Sequence, residues 1–269
     1  MTAGAPDQAE PNADTLAFYR RALDTLMAAA IPHLVGGGYA LDHYTGLGRS
    51  TKDVDLYVYP HDRDRALQAF SVAGYRVEGV FHWVGKVYSG EHCVDVICNT
   101  TNGIAAVDDA WFAHAATAEV EALGRAVRLV PAEELIWAKG FLMERERYDG
   151  SDVAHLLLAR AAELDWPRLL DRFGAQWRVL LSHLILFGFI YPEQRAQVPA
   201  PVMQDLLARL QREMTGGSPP ERLCQGTLLS WRQYLVDVER WGSDDARVSE
   251  GYLTRDEVAQ WTEAFRDDG

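Results

Sequence analysis

Cysteine is scarce in this sequence: Cys93, Cys98 and Cys224 are the only three in 269 residues. An odd number with no paired spacing excludes a disulfide framework. No Cys/His ligand spacing accompanies them either, so they read as buried free thiols of a protein at home in a reducing cytoplasm. Positive charge is also short, with 26 Lys and Arg against 39 Asp and Glu and a net charge of −13. That balance argues against a protein that coats nucleic acid by neutralising phosphates, while leaving room for a local basic groove. Long apolar runs are missing. The longest, "VLLSHLILFGFIY" from Val179 to Tyr191, is interrupted by Ser182, His183 and Gly188. It falls short of the roughly 20 residues a bilayer span needs, and reads as a buried helix with no membrane role. The first residues, MTAGAPDQAEPNAD, lack the basic-then-apolar order of a signal peptide, and residues 1–13 read as a disordered lead-in. No repeat or low-complexity tract stands out.

What is present is a change of texture near Pro131. From residue 14 to 130 short strand-like runs alternate with helical ones, and from 131 to 269 the periodicity is helical throughout. "TLAFYRRALDTLMAAA" carries Leu16, Tyr19, Leu23 and Leu26 at helical spacing behind Asp14 or Thr15 as a cap. "HLV", "DVDLYVY", "YRVEGV", "HWVGKVYSG", "HCVDVIC" and "AVRLV" read as strands, with helices over "YALDHYTGL" and "DRDRALQAFSVAG". Beyond Pro131, "PAEELIWAKGFLMERERY", "SDVAHLLLARAAEL", "WPRLLDRFGAQWRVLLSHLILF" and "PVMQDLLARLQREM" read as helices. "TGGSPP" follows as a linker and then a helix near 228–238. The acidic stretch 243–269 reads as a solvated terminal helix. The expectation is an α+β protein: a mixed sheet with flanking helices over 14–130, then an all-helical domain over 131–269.

The chemistry concentrates between His33 and Val58, "HLVGGGYALDHYTGLGRSTKDVDLYV". On a strand, residues i and i+2 share a face, so Asp53 and Asp55 project together while Val54 and Leu56 face the core. "CVDVI" repeats the pattern with Asp95. Like charges on a half-buried strand repel and lose hydration unless a cation pairs with them. A basic side chain such as Arg49, Lys52 or Lys86 could do so. A metal is the other answer. If the two strands are neighbours, three carboxylates meet, and oxygen-only ligation favours Mg²⁺ or Mn²⁺. Gly36, Gly37 and Gly38 lie between a buried strand and a helix, where bare backbone and a helix N-terminus suit a phosphate.

A glycine turn, a spacer, an acidic D-x-D on a strand and a third acidic residue on a later strand form a pattern. "GGGYALDHYTG…RSTKDVDLYV" followed by "VDVI" resembles the nucleotidyltransferase superfamily, whose fold is shared with DNA polymerase beta. The GG-aromatic-A-L-D wording is similar to the antibiotic and abortive-infection-toxin-type members. "VPAEELIWAKGFLMERERYDGSDVAHLL" resembles the helical segment that such proteins carry after the core. The resemblance covers about residues 30–160 and implies a nucleotidyltransferase-type sheet with two Mg²⁺ or Mn²⁺ ions and an NTP co-substrate. It implies that Asp53 and Asp55 ligate both metals and that Asp95 ligates one and acts as general base. Gly37, Gly38, Arg49, Ser50 and Lys139 would contact phosphate. NMP would pass to a hydroxyl of a small molecule, tRNA or protein, with pyrophosphate released; the acidic balance tilts the acceptor toward a small molecule or protein. The turn departs from the family in being Gly-Gly-Gly, without the usual serine. The alternative is a non-catalytic nucleotide-binding or toxin–antitoxin interaction module of the same fold. Asp152 and His155, one helical turn apart, read as a first-turn acid and a packed histidine in preference to metal ligands.

Overall fold

The computed structural model describes residues 11–48, 53–216 and 222–264. They form two compact units. The first runs to Thr100 and resumes at Ala106–Pro131; the second takes Thr101–Ala105 and the chain from Ala132.

In chain order the first unit contains α1 (Ala13–Ala28), β1 (Leu34–Val35), α2 (Gly37–Thr45), β2 (Val54–Tyr57), α3 (Arg63–Val72), β3 (Arg76–Glu78), β4 (Val84–Ser89), β5 (His92–Ile97), α4 (Asp109–Ala113), β6 (Ala116–Val120) and β7 (Arg125–Leu129). The cap of α1 is Asn12, not Asp14 or Thr15. Its carboxamide oxygen accepts the Thr15 N–H at 2.9 Å, satisfying a first-turn donor. The seven strands form one mixed sheet in the order β3-β4-β5-β2-β1-β7-β6. β5 and β2 are parallel, as are β1 and β7; the other pairs are antiparallel.

Alternation gives the sheet two chemically different faces. Val54, Leu56, Val87, Val94 and Val96 are fully buried; α1 packs against β5, and α3 against β4 and β5. Gly85 lies under Leu67 of α3, where a Cβ would come within 2.7 Å of the leucine methyls. A side chain there would displace the Leu67 side chain. The intervening positions, Asp55, Lys86 and Asp95, face the other way. The sequence reading omitted β6 and the short α4. At five residues α4 is too short to show a helical period, and β6 is specified by antiparallel pairing with β7.

The second unit contains α5 (Ala132–Gly140), α6 (Gly150–Arg160), α7 (Trp166–Phe173), α8 (Trp177–Ile190), α9 (Ala200–Thr215), β8 (Leu223–Cys224), α10 (Trp231–Glu239), β9 (Asp244–Asp245), α11 (Ala246–Ser249) and α12 (Arg255–Ala264). It is helical apart from the two-residue parallel pair β8–β9. The helix expected to run to Tyr148 ends at Gly140, followed by an antiparallel bridge between Met143 and Tyr148. Gly140 sits against Phe173, 3.1 Å from where its Cβ would lie, and its carbonyl is bonded by His183 at 2.8 Å. Similarly, Gly174, at φ +45°, separates α7 from α8 where one continuous period was read. The stretch Trp166–Ile190 is long and apolar enough, by length and composition, to cross a membrane; 44% of its most apolar window is buried within the protein. On α8, Ile185, Leu186, Phe189 and Ile190 are exposed, so the helix is buried on one side only.

Residues 243–264 are also more structured than a solvated helix. Arg247 is 1% exposed and clamps the Asp245 carboxylate at 2.6 Å. Most of the "TGGSPP" linker and most of the lead-in lie outside the described residues. Cys93, Cys98 and Cys224 are free thiols.

Candidate active site

The site is built by strand register. Parallel pairing of β2 with β5 makes Asp55 and Asp95 direct cross-strand partners. Antiparallel pairing of β5 with β4 sets Lys86 opposite Asp95. Lys86, Asp95 and Asp55 therefore form a row across three adjacent strands, on the face opposite the valine layer. Asp53 precedes β2 by one residue, in the bend that enters the strand, and is exposed.

The Lys86 ammonium donates to both Asp95 oxygens, at 2.8 and 2.9 Å. Lys86 is thus the basic partner of the third carboxylate, not of the D-x-D pair. Burial works to lower its pKa, but the hydrogen bond and charge of Asp95 outweigh that and hold it above its ordinary value. Cys93, two residues before Asp95, donates its thiol to Asp95 Oδ1 at 3.5 Å. Burial first, then the Asp95 charge, pushes that thiol up to about 12 and keeps it protonated.

The glycines have separate reasons to be glycine. A Cβ on Gly36 would fall 2.3 Å from the Tyr57 ring, and the Gly36 N–H donates to the Asp55 carbonyl at 2.9 Å. Gly37 has φ +52°, and its Cβ would lie 1.6 Å from Asp55 Oδ2. The Asp55 carboxylate rests on bare Gly37 backbone at the start of α2. Gly38 follows as the second residue of that helix, whose first N–H groups lack intrahelical acceptors. At the far end, Gly46 closes α2 in the left-handed region, and the Asp42 carboxylate accepts the Gly48 N–H at 2.5 Å. Gly48 is thus tied back to the helix that starts at the glycines. Arg49 and Ser50, the other expected phosphate contacts in this unit, lie outside the described residues.

Two tyrosines of this unit, neither singled out by the sequence as a site residue, carry raised phenols. Tyr19 of α1 is fully buried; burial, then the charges of Tyr39, Asp53, Cys93 and Asp55, raise its phenol beyond the ordinary range. Burial raises Tyr39 to about 12, and its hydroxyl has no hydrogen-bond partner among the described residues. Tyr19 was read only as an apolar helix position. Nothing in a 3.6-residue period says that its phenol is buried within reach of the charges of Asp53 and Asp55.

Lys139 belongs to the second unit. Its ammonium bonds Asp149 at 2.7 Å and Asp152 at 2.8 Å, and Arg147 adds a bond to Asp149 at 3.1 Å. Asp152 stands in the first turn of α6, its carboxylate turned to Lys139, as a structural reading of that residue requires.

Among the described residues, no three His, Cys, Asp or Glu side chains stand close enough to hold a metal ion as they are. The donors themselves suit a hard divalent cation: Asp55 and Asp95 are side by side, Asp53 is exposed at the entrance, and every ligand atom offered is oxygen.

No protein-family model and no curated protein matches the chain. Solved structures align with it at low identity. An antigenic nucleotidyltransferase-like protein from Paracoccidioides brasiliensis aligns at 17% identity over 70% of this chain and 94% of that one, with a TM-score of 0.45. A lincomycin-bound lincosamide antibiotic adenylyltransferase aligns at 15% identity over 56% of this chain and 100% of its own, with a TM-score of 0.40. ANT(2'')-Ia in complex with adenylyl-2''-tobramycin aligns at 18% identity over 66% and 99%, with a TM-score of 0.38.

Proposed function

We propose that the protein is an Mg²⁺- or Mn²⁺-dependent nucleotidyltransferase that moves NMP from an NTP to a hydroxyl and releases pyrophosphate. The observation that carries this reading is the register of β2 on β5. It sets Asp55 beside Asp95, directly against a glycine turn that opens a helix. A salt-bridged strand pair has no need of that turn.

Asp53 and Asp55 would hold both cations, and Asp95 one of them. Bound there, the ions would neutralise the carboxylates and stabilise charge on the attacking and leaving oxygens. Asp95 takes the proton of the acceptor hydroxyl as its oxygen bonds the α-phosphorus and the α–β phosphoanhydride breaks. Backbone N–H groups at Gly37 and Gly38 orient the departing phosphates, filling the role of the missing turn serine. Arg49 and Ser50, next in the chain before the D-x-D, would add charge and a hydroxyl to the same phosphates. Lys139, in the second unit, is committed to Asp149 and Asp152 and takes no part in this reading. The acceptor we favour is a small molecule, since the net charge of −13 opposes a polyanion.

The test is incubation with each labelled NTP, Mg²⁺ and hydroxyl acceptors, comparing the wild type with Asp95→Ala. Removal of a general base costs about 10²–10⁴ in rate. Activity undiminished in Asp95→Ala overturns the base assignment. Metal-dependent NTP binding without turnover on any acceptor supports the binding-module alternative, and absence of NTP binding removes both.

A further inference from the structure

The row Lys86–Asp95–Asp55 contains one group that the proposed chemistry does not use. Lys86 sits directly opposite Asp95 and spends its ammonium on both carboxylate oxygens. A cation that recruits Asp95 as a ligand needs at least one of those oxygens. The ammonium and the metal therefore compete for one carboxylate.

Exposure decides whether that competition can be won. The Lys86 side chain is 40% exposed, while Asp95 is 15% exposed. The lysine can swing into water and regain its hydration without disturbing the valine layer on the other face of the sheet. The carboxylate is fixed by its strand and stays where it is. Lys86 also relieves a real cost. Asp95 directly neighbours Asp55, with Asp53 close by in sequence, and without a cation these like charges repel in a half-buried setting.

We infer that Lys86 is a resident counter-ion that occupies Asp95 in the metal-free protein and must be displaced for the catalytic metal to bind. It is a positioning residue, acting through Asp95. In this role it keeps metal affinity low until a second ligand, the triphosphate, arrives with charge of its own to offset the lysine. This rests on the reading of Asp95 as a metal ligand.

The experiment measures Mn²⁺ binding to the full chain without nucleotide, by electron paramagnetic resonance or calorimetry. It compares wild type, Lys86→Met, Lys86→Gln, Lys86→Arg, Asp95→Asn and the double variant Lys86→Met/Asp95→Asn. Removing the competing charge raises Mn²⁺ affinity roughly five- to tenfold in Lys86→Met and Lys86→Gln. The gain shrinks as salt screens the charge. Lys86→Arg keeps the charge and stays near wild type. Asp95→Asn weakens binding and abolishes the effect of Lys86→Met, because the lysine then has no carboxylate to contest. Equal Mn²⁺ affinity in wild type, Lys86→Met and Lys86→Gln, with Asp95→Asn weakened, overturns the counter-ion role and leaves the metal reading intact. Equal affinity in wild type and Asp95→Asn removes both.

Discussion

Two lysine–aspartate clusters with nearly identical bond lengths lie one in each unit. Lys86 meets Asp95 at 2.8 Å on the open face of the sheet. Lys139 meets Asp149 and Asp152 at 2.7 and 2.8 Å between α5 and α6. The distances do not separate them; burial and stoichiometry do. The Lys139 side chain is 15% exposed and each of its aspartate partners 10%, so all three charges are held away from most of the water. Two anions share that ammonium, with Arg147 on the rim. Lys86 keeps solvent access and serves one carboxylate. A pair that can be rehydrated is exchangeable, whereas a buried trio is a staple whose loss strands uncompensated charge. The same ion-pair chemistry thus suits a site that must open in one place and a helix junction that must not in the other.

The widest expected gap comes from deleting each lysine's charge. Lys139→Met leaves two carboxylates buried together and costs about 3 kcal/mol of stability, whereas Lys86→Met costs less than about 1 kcal/mol. Urea titrations of the two variants measure this directly, and equal losses would erase the distinction. Next is Gly37→Ala. With φ at +52° and the Asp55 carboxylate in the way, the change costs about 1–2 kcal/mol in backbone strain alone. It also drives Asp55 from its seat, so Mn²⁺ and NTP binding fall together. Gly46→Ala, with open space around its Cβ and φ +64°, pays the strain but spares binding. A binding loss of the same size in both would mean that the Asp55 contact is unimportant.

The smaller effects are pH slopes confined to the second unit. Asp149 lies below its ordinary 3.8: burial alone would raise it, but the bonds from Arg147 and Lys139 prevail. The sign follows from proton uptake. The unfolded chain takes a proton on this carboxyl before the folded one does, so stability is full above pH 3.8 and is lost as pH falls through the depressed value. Asp149→Asn flattens that acid limb in a chemical-denaturation series. His183 is smaller again. Burial lowers it below 6.5 despite the bond to the Gly140 carbonyl. Stability is complete above 6.5 and declines as pH drops below it, because the unfolded imidazole charges first. His183→Gln removes this slope while its carboxamide can still donate to Gly140; an unchanged slope would assign it to another group.

The two units also differ in how far local pattern reveals them. Val54, Leu56, Asp53 and Asp55 announce a strand with an apolar and a charged side, and the glycines announce a turn. These are properties of neighbours two to four residues apart. Helix ends in the second unit were harder. Gly140 and Gly174 stop helices for reasons that involve Phe173, His183 and a positive φ, none of which a running period contains. Arg247 was placed among solvated residues because its neighbours are acidic. Its burial depends on β8, β9 and α11 coming together.

Residue order alone settles that Asp53 and Asp55 sit two apart beside buried positions, that a glycine triplet precedes them, and that Asp95 alternates with valines. It does so because strand and helix periods are short-range backbone geometry. Which cation answers those carboxylates is a different kind of question. Lys86 reaches Asp95 and not the D-x-D pair because β4 and β5 meet in one particular register. Gly37 faces Asp55 because β1 lies antiparallel to β2 in the middle of the sheet. β4 and β5 are the arms of a tight hairpin, while β1 and β2 are separated by α2. In both cases the register kept is the one that buries the valine layer, and that burial exists only in the folded sheet.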